Sequence, residues 1–160
     1  MALERLGLMQ KLDIRICPVA ESDISQIAEL ENMYFSEPWS EISLKKSLNK
    51  ENYCFICAKT GLKVVAYASM YVVKPEGYIC NIVVHEDYRN MGIATNIINK
   101  IVQDAQKMNL EILTLEVRES NIKAVNLYKK HDFECVGIRK NFYTNPTENA
   151  YIMTRFLNNN

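Results

Sequence analysis

The sequence predicts an α/β protein in which a single mixed, largely antiparallel sheet of about seven strands carries helices on both faces and one parallel strand pair at its centre. Between residues 53 and 84, β-rich runs are separated by short turns that contain Gly or Pro, which is typical of an antiparallel meander. The order then changes to strand, helix, strand. The helix, at residues 93–108, is long enough to be the crossover that joins two parallel strands. Two further β-rich runs close the chain as an antiparallel pair.

The first third of the chain is predicted to hold one strand and two short helices. Residues 14–18 alternate between apolar and polar side chains, as a strand does. Apolar residues then recur at helical spacing from Ile24 to Leu30, and Ser22 or Asp23 is suited to cap that helix. The segment 35–39 (Phe-Ser-Glu-Pro-Trp) interrupts the helix, and Ser40 is suited to cap the next one.

The remaining elements follow from the same two periodicities. Strands are predicted at residues 53–59, 63–73, 78–84, 111–117, 134–143 and 150–157, and helices at 93–108 and 121–131. The helix at 93–108 carries its apolar residues on one face, so we expect it to pack on the sheet. Ligands in such sheets favour the carboxyl ends of neighbouring parallel strands, which lie here near Val84 and Val117.

Length and composition indicate one domain. The 160 residues suffice for a single domain at 13–160, preceded by an N-terminal extension at 1–12 that could be flexible. Nineteen basic and nineteen acidic residues cancel, so the chain lacks the charge of a general nucleic-acid binder, and we expect no direct nucleic-acid partner. No apolar run approaches the ~20 residues that cross a bilayer, and the N-terminus lacks a signal-peptide core. We therefore expect a cytoplasmic protein without a membrane partner.

The cysteines and histidines give no metal or redox signal. Cys54 and Cys57 form a C-x-x-C, but on a strand these positions point to opposite faces, so we expect the five cysteines to be buried, inert thiols. His85 and His131 are expected to be solvent-exposed and structural, and the helix C-terminus near His131 favours its charged form. We predict no metal site, because neither histidine has a second ligand at useful spacing.

A small-residue turn after the strand at 78–84 carries the most specific signal. Residues 89–94 read Arg-Asn-Met-Gly-Ile-Ala, and the helix at 93–108 begins within them. Gly92 and Ala94 let backbone N–H groups approach an anion, and the helix N-terminus adds roughly half a positive charge. The turn is therefore predicted to bind a phosphorylated ligand.

Two titratable residues lie near the predicted ligand site. Glu116 shares a strand face with Ile112 and Thr114 and is a candidate general base, or else a rim glutamate paired with Arg118 or a lysine. Tyr128 is a candidate general acid, because a phenol stays neutral at cellular pH, or else a core tyrosine with a bonded hydroxyl. Asn121 precedes Tyr128 by seven positions on the same helix face, and could cap the helix, bind a cofactor or do both.

These segments resemble the GNAT (Gcn5-related) N-acetyltransferases, and in particular the RimI-type ribosomal-protein alanine N-acetyltransferases. The similarity extends over residues 14–157. Its more discriminating motifs are Pro-Trp-Ser at 38–40, Leu-Glu-Val-Arg-Glu-Ser-Asn at 115–121 and Asn-Phe-Tyr at 141–143, besides the glycine turn at 89–94.

The resemblance implies an acetyl-CoA-dependent transfer to the N-terminal alanine amine of a small-subunit ribosomal protein. It implies Glu116 as the base and Tyr128 as the acid. It places acetyl-CoA on Ile82, Val83, Val84, Arg89, Asn90, Met91, Gly92, Ile93, Ala94, Thr95 and Asn121, and the acceptor beside Pro38, Trp39, Asn141 and Tyr143. Trp39 could equally be a packed aromatic anchor.

The sequence also departs from the family pattern. Asp132 stands where a glycine is usual, at a position expected to be left-handed. Phe142 and Lys140 replace a common Tyr and Arg in the region expected to shape the acceptor groove. Transfer to a small-molecule amine or a protein lysine, or a noncatalytic acyl-CoA-binding module, are therefore the alternatives. A monomer or weak dimer is expected.

Overall fold

The computed structural model describes residues 12–157 and contains one seven-stranded sheet with the strand order β1-β2-β3-β4-β5-β7-β6. The extension predicted at 1–12 lies outside these residues except for Leu12. The strands are β1 (Ile14–Pro18), β2 (Tyr53–Thr60), β3 (Lys63–Val73), β4 (Glu76–Val84), β5 (Ile112–Arg118), β6 (Glu134–Tyr143) and β7 (Glu148–Phe156). Only β4 and β5 are parallel, as predicted, and every other neighbouring pair is antiparallel.

Four α-helices accompany the sheet within this range: α1 (Ile24–Tyr34), α2 (Glu41–Leu48), α3 (Ile93–Lys107) and α4 (Ile122–Lys130). Ser40 caps α2 as predicted, because its Oγ accepts a hydrogen bond from Ser43 N at 3.1 Å. Asp23 occupies the N-cap position of α1 as predicted, but its side chain makes no capping hydrogen bond to that helix. Asp23 accepts instead from Ala20 N at 2.8 Å, since a 3-10 turn over Glu21–Asp23 runs directly into the helix. None of the helices described is long and apolar enough to cross a membrane.

The helices cover both faces of the sheet. Alternation along β2 sends Phe55 and Cys57 to the face covered by α1 and α2, and Ile56 and Ala58 to the face covered by α3. Tyr128 of α4 belongs to the second of these cores. The predicted fold class is therefore confirmed, including helices on both faces.

The parallel pair opens along its length. β4 and β5 pair only at their N-terminal ends, where the last registered partners are Tyr78 and Thr114. Just beyond, a β-bulge interrupts the pairing of β4 with β3, because Ser69 opposes Asn81 whereas Met70 opposes Ile79. Cys80 is the extra residue. β5 continues in register with β7 as far as Arg118. The C-terminal halves of β4 and β5 therefore form the two walls of a cleft.

Candidate active site

The turn after β4 is anchored before it reaches α3. His85 N donates to Val65 O of β3 at 2.8 Å, and His85 Nδ1 accepts from Asp87 N at 3.1 Å. Arg89 Nε donates to Val84 O at 3.0 Å, and its guanidinium lies 4.8 Å from the centre of the Tyr34 ring. These contacts hold the segment that leads into α3 against the end of β4.

Gly92 ends this turn in a left-handed conformation and precedes the first residue of α3. Its φ is +77°, and a Cβ built on it would meet no atom within 4 Å. The first helical hydrogen bond runs from Asn96 N to Gly92 O. The N–H groups of Ile93, Ala94 and Thr95 therefore lack an acceptor within the helix. Together with the helix dipole, they form an open site for an anion.

A cavity of about 720 Å³ lies over this turn and is called the turn cavity below. Every residue predicted to hold the cofactor borders it except Met91, whose side chain packs against the core beneath α3. Those that border it are Ile82, Val83, Val84, Arg89, Asn90, Gly92, Ile93, Ala94, Thr95 and Asn121.

A second cavity, of about 570 Å³, lies between the separated halves of β4 and β5 and is called the cleft cavity. Glu116, Trp39 and Tyr143 border it. Tyr128 and Ile82 border both cavities. The two cavities therefore meet at the phenol and at the end of β4.

Glu116 projects from β5 on the face opposite Leu115 and Val117, as its position in the alternating strand predicted. Its carboxylate is 24% exposed and pairs with Arg139 Nε of β6 at 3.3 Å. Arg118, which the sequence offered as an alternative partner of Glu116, does not pair with it. Arg118 instead pairs with Glu148 at 3.1 Å and donates to Thr144 O at 3.0 Å. An ion pair between β6 and β5, which lie on either side of β7, therefore holds Glu116 at the cleft.

Tyr128 and Tyr143 are the two phenols of the cleft whose pKa values are raised. Tyr128 is buried, its ring meets Phe133 edge-on at 5.9 Å, and this burial raises its pKa. Burial, followed by the charge of Glu116, raises the pKa of Tyr143 to about 12. Tyr128 and Tyr143 therefore remain protonated at neutral pH.

Asn121 caps α4, because its Oδ1 accepts from Ala124 N at 3.3 Å.

The residues predicted to contact the acceptor divide into two groups. Trp39 and Tyr143 border the cleft cavity, whereas Pro38 and Asn141 are exposed outside its lining. Asn141 N donates to Asn149 Oδ1 at 3.0 Å, so the backbone of Asn141 is bonded across the β6–β7 hairpin. Trp39 also meets the Tyr53 ring edge-on at 6.3 Å, so it is both a wall and a packed anchor.

The sequence interpretation missed a buried carboxylate behind Trp39. Glu31 of α1 is fully buried, and Tyr67 Oη, Asn81 Nδ2 and Trp39 N donate to it. Helical spacing could have revealed it, since Glu31 follows Ile24 by seven positions on the apolar face of α1. Tyr34 and Phe35, which border both cavities, were also missed.

The structure corrects the predictions for the cysteines and the histidines. Of the five cysteines only Cys57 is buried, and Cys17 and Cys54 are half-buried. Cys80 and Cys135 are exposed, because the bulge at Cys80 and the edge position of β6 leave them uncovered. Burial, followed by the charge of Arg155, lowers the pKa of His131, so these effects outweigh the helix dipole. Both histidines are half-buried, whereas solvent exposure was expected, and the His85 side chain is only 17% exposed.

Comparison with known proteins agrees with this architecture. Residues 24–133 match the model of the Acetyltransferase (GNAT) family. The chain is 30% identical over 140 residues to the ribosomal protein bS18-alanine N-acetyltransferase of Escherichia coli (strain K12), covering 86% of this chain and 94% of that protein. The relative of the same name from Haemophilus influenzae is 30% identical over 145 residues, covering 89% and 98% of the two chains.

Solved structures share the fold. The crystal structure of the ribosomal-protein-S18-alanine N-acetyltransferase from Escherichia coli has a TM-score of 0.82 at 29% identity, covering 90% of this chain and 94% of that chain. Arabidopsis thaliana NAA60 in complex with acetyl-CoA has a TM-score of 0.83 at 20% identity, covering 90% and 99%. The chain therefore belongs to the Acetyltransferase (GNAT) family, as an acyltransferase whose co-substrate is acetyl-CoA.

Proposed function

We propose that this protein transfers the acetyl group of acetyl-CoA directly to the N-terminal alanine amine of the small-subunit ribosomal protein bS18. Glu116 acts as the general base and Tyr128 as the general acid. The observation that carries this proposal is their convergence on one cleft, which opens at Tyr128 into the turn cavity. The names of the relatives from Escherichia coli and Haemophilus influenzae support the acceptor.

The donor site is argued from backbone groups. The unpaired N–H groups at the start of α3 suit the diphosphate of coenzyme A. His85 N points toward β3, and N–H groups alternate along a strand, so the amides of Ile82 and Val84 point toward the cleft. No strand is registered against them on that side within residues 12–157. These amides can therefore bind the pantetheine arm as an added strand and donate to the oxyanion.

The chemistry then follows from the two side chains. Acetyl-CoA supplies an activated thioester. Glu116 accepts a proton from the attacking α-amine, whose nitrogen bonds to the carbonyl carbon. As the C–S bond breaks, Tyr128 donates its proton to the departing thiolate sulfur. The products are an N-acetylated chain and the thiol of coenzyme A.

The cleft suits a terminal amine. An α-amine has a pKa of about 7.7–8.0, against about 10.4 for lysine, so a modest base suffices to deprotonate it. Trp39 and Tyr143 flank the cavity and would enclose the first acceptor residue. We place Pro38 and Asn141 further out, along the residues that follow the alanine.

The test combines the protein, acetyl-CoA and a synthetic peptide that copies the bS18 N-terminus and begins with alanine. Mass spectrometry locates the acetyl group. The expected product is a single acetyl group on the α-amine. The matched control is the same peptide with a blocked N-terminus and a free lysine, and spermidine is offered in competition. Acetylation of the lysine or the polyamine in preference to the α-amine would replace the proposed acceptor.

A further inference from the structure

A buried polar cluster lies behind the cleft and touches neither Glu116 nor the turn cavity. It consists of Glu31, Tyr67, Asn81 and the backbone N–H of Trp39, and is called the Glu31 cluster. Glu31 and Tyr67 are both 0% exposed. Glu31 Oε1 accepts from Tyr67 Oη and from Asn81 Nδ2, and Asn81 Nδ2 lies 3.1 Å from Tyr67 Oη. Glu31 Oε2 accepts from Trp39 N at 3.1 Å.

The carboxylate has no cationic partner in the described part of the chain. Its partners are neutral donors, and burial raises its pKa. Burying a carboxylate without a counter-charge is costly unless hydrogen bonds satisfy it. A fold that only needed to fill this space would be served by an apolar residue, as α1 uses at Ile24 and Ile27. Each bond made by Glu31 therefore calls for an explanation.

The bonds connect two walls of the cleft. Asn81 follows the bulge of β4 and borders the cleft cavity, as does Trp39 from the segment 35–40 between α1 and α2. On its outer side this segment is held to the β6–β7 hairpin, where Ser36 Oγ donates to Thr144 O at 3.1 Å. On its inner side, the bond from Trp39 N to Glu31 of α1 connects it, through the bonds of Glu31 with Tyr67 and Asn81, to the sheet.

We propose that Glu31 is a positioning residue for the acceptor: its carboxylate holds Trp39 and Asn81 at a set separation across the cleft. This inference rests on the proposed transfer to a peptide amine. Glu31 does not border the cleft itself, so it acts through these two residues. Its loss should weaken acceptor binding while leaving the donor site intact.

The principal test is Glu31→Gln, which keeps the volume but offers one acceptor oxygen instead of two. If its NH₂ group faces Trp39 N–H, that link is lost; if it faces Tyr67 Oη, the hydroxyl can accept from it, but the bond from Asn81 Nδ2 is lost. A hydrogen bond to a charged group is worth a factor of roughly ten or more. We expect the KM for the alanine peptide to rise about tenfold, with the KM for acetyl-CoA unchanged.

Trp39 provides a direct readout, because it is the only tryptophan in the chain. In Glu31→Gln its fluorescence should shift to the red and become more accessible to acrylamide. The matched control is Asp23→Asn, which removes another buried carboxylate of the same region, bonded to Lys59 at 2.7 Å and remote from the cleft. This control should lose stability without altering Trp39 emission or either KM.

The outcomes are distinct. Unchanged Trp39 emission in Glu31→Gln, or equal changes in both KM values, would overturn the inference. If wild-type protein acetylates no alanine peptide, the proposed function fails, and the Trp39 measurements alone decide whether Glu31 holds the segment. If Glu31→Gln does not fold, Tyr67→Phe gives the same test. It removes one donor to the carboxylate, and it should raise the peptide KM severalfold with partial exposure of Trp39; no change would overturn the inference.

Discussion

Glu116 and Tyr128 face the same cleft from different surroundings. Glu116 is partly exposed and paired with Arg139, whereas Tyr128 is buried against Phe133. A base that must accept a proton from an incoming ammonium benefits from access to solvent. An acid that must keep its proton until a thiolate leaves benefits from burial, which disfavours the phenolate. The environment of each side chain therefore supports the roles proposed for it.

The first prediction concerns Glu116→Gln. Loss of the general base should lower kcat by about 10²–10⁴. The KM for acetyl-CoA should hold, because Glu116 does not border the turn cavity. Steady-state kinetics with the alanine peptide measure both quantities. Glu134→Gln, an exposed change on β6, is the matched control and should leave both unchanged. A full rate in Glu116→Gln would remove this residue from the mechanism.

The second prediction concerns Tyr128→Phe, which should lower kcat by roughly 10² or more. Because burial raises the pKa of Tyr128 above its ordinary value of about 10, the phenol stays protonated throughout the working range. The ratio of the wild-type to the variant rate should therefore be constant between about pH 6 and pH 9. Tyr151→Phe on β7 serves as the control. A ratio that falls steeply in this interval would contradict the acid role.

At the scale of elements, the start of α3 depends on two left-handed residues that flank Met91. Asn90 and Gly92 have φ values of +61° and +77°. This backbone turns the N–H groups of the first helical turn toward the turn cavity instead of toward a capping side chain. At Gly92 the left-handed conformation, and not a neighbouring atom, selects glycine, because a Cβ there would meet nothing within 4 Å.

The third prediction is that Gly92→Ala weakens acetyl-CoA binding. A left-handed alanine costs about 1–2 kcal/mol, and relaxation of that strain would turn the N–H groups away from the ligand. We expect the KM for acetyl-CoA to rise by about tenfold for a change of about 1.4 kcal/mol. Gly61→Ala is a close control, since Gly61 has a φ of +59° and equally open surroundings in the β2–β3 turn. It should lose similar stability and keep its acetyl-CoA KM; equal KM changes would refute the argument.

At the scale of the whole molecule, the cleft exists because one sheet opens in the middle. At Gly77 a Cβ would come within 2.9 Å of Leu113 Cδ2 and Met70 Sδ, so glycine allows β4 to approach β5 closely there. The bulge at Cys80 then redirects β4, while β5 stays paired with β7. β4 and β5 are therefore paired at the base of the cleft and separated at its mouth.

The fourth prediction links Glu31 to the pH dependence of global stability. Its pKa is raised in the folded chain and ordinary in the unfolded chain, so the folded chain takes up this proton first as the pH falls. The stability of wild-type protein relative to Glu31→Gln should therefore be greater near pH 5 than near pH 8, and should be lost as the pH rises through the folded pKa. Denaturant unfolding of both proteins at each pH measures the difference.

The contribution of Glu148 is removed by that comparison. Hydrogen bonds from Ser120 and Arg118 lower the pKa of Glu148, so its contribution runs the opposite way and is lost as the pH falls. Glu148 is present in both proteins, and its effect cancels. A stability difference between wild type and Glu31→Gln that is independent of pH would contradict the prediction.

Local features of the site could be read directly from the chain. Alternation placed Glu116 on the face opposite Leu115, and the small residues at 92–94 marked the start of α3. The departure at Asp132 was expected to be left-handed, and its φ is +63°. Each of these depends on backbone geometry over a few residues, which neighbouring side chains largely decide.

The sequence by itself thus determined the elements, their order and the strand face of Glu116. Only the tertiary structure decided that Arg139 rather than Arg118 meets Glu116, that Met91 turns into the core, and that Glu31 reaches Trp39 and Asn81. The physical reason is distance along the chain. These contacts join residues on separate elements, and the packing of two cores around an opened sheet selects among partners that periodicity leaves equivalent.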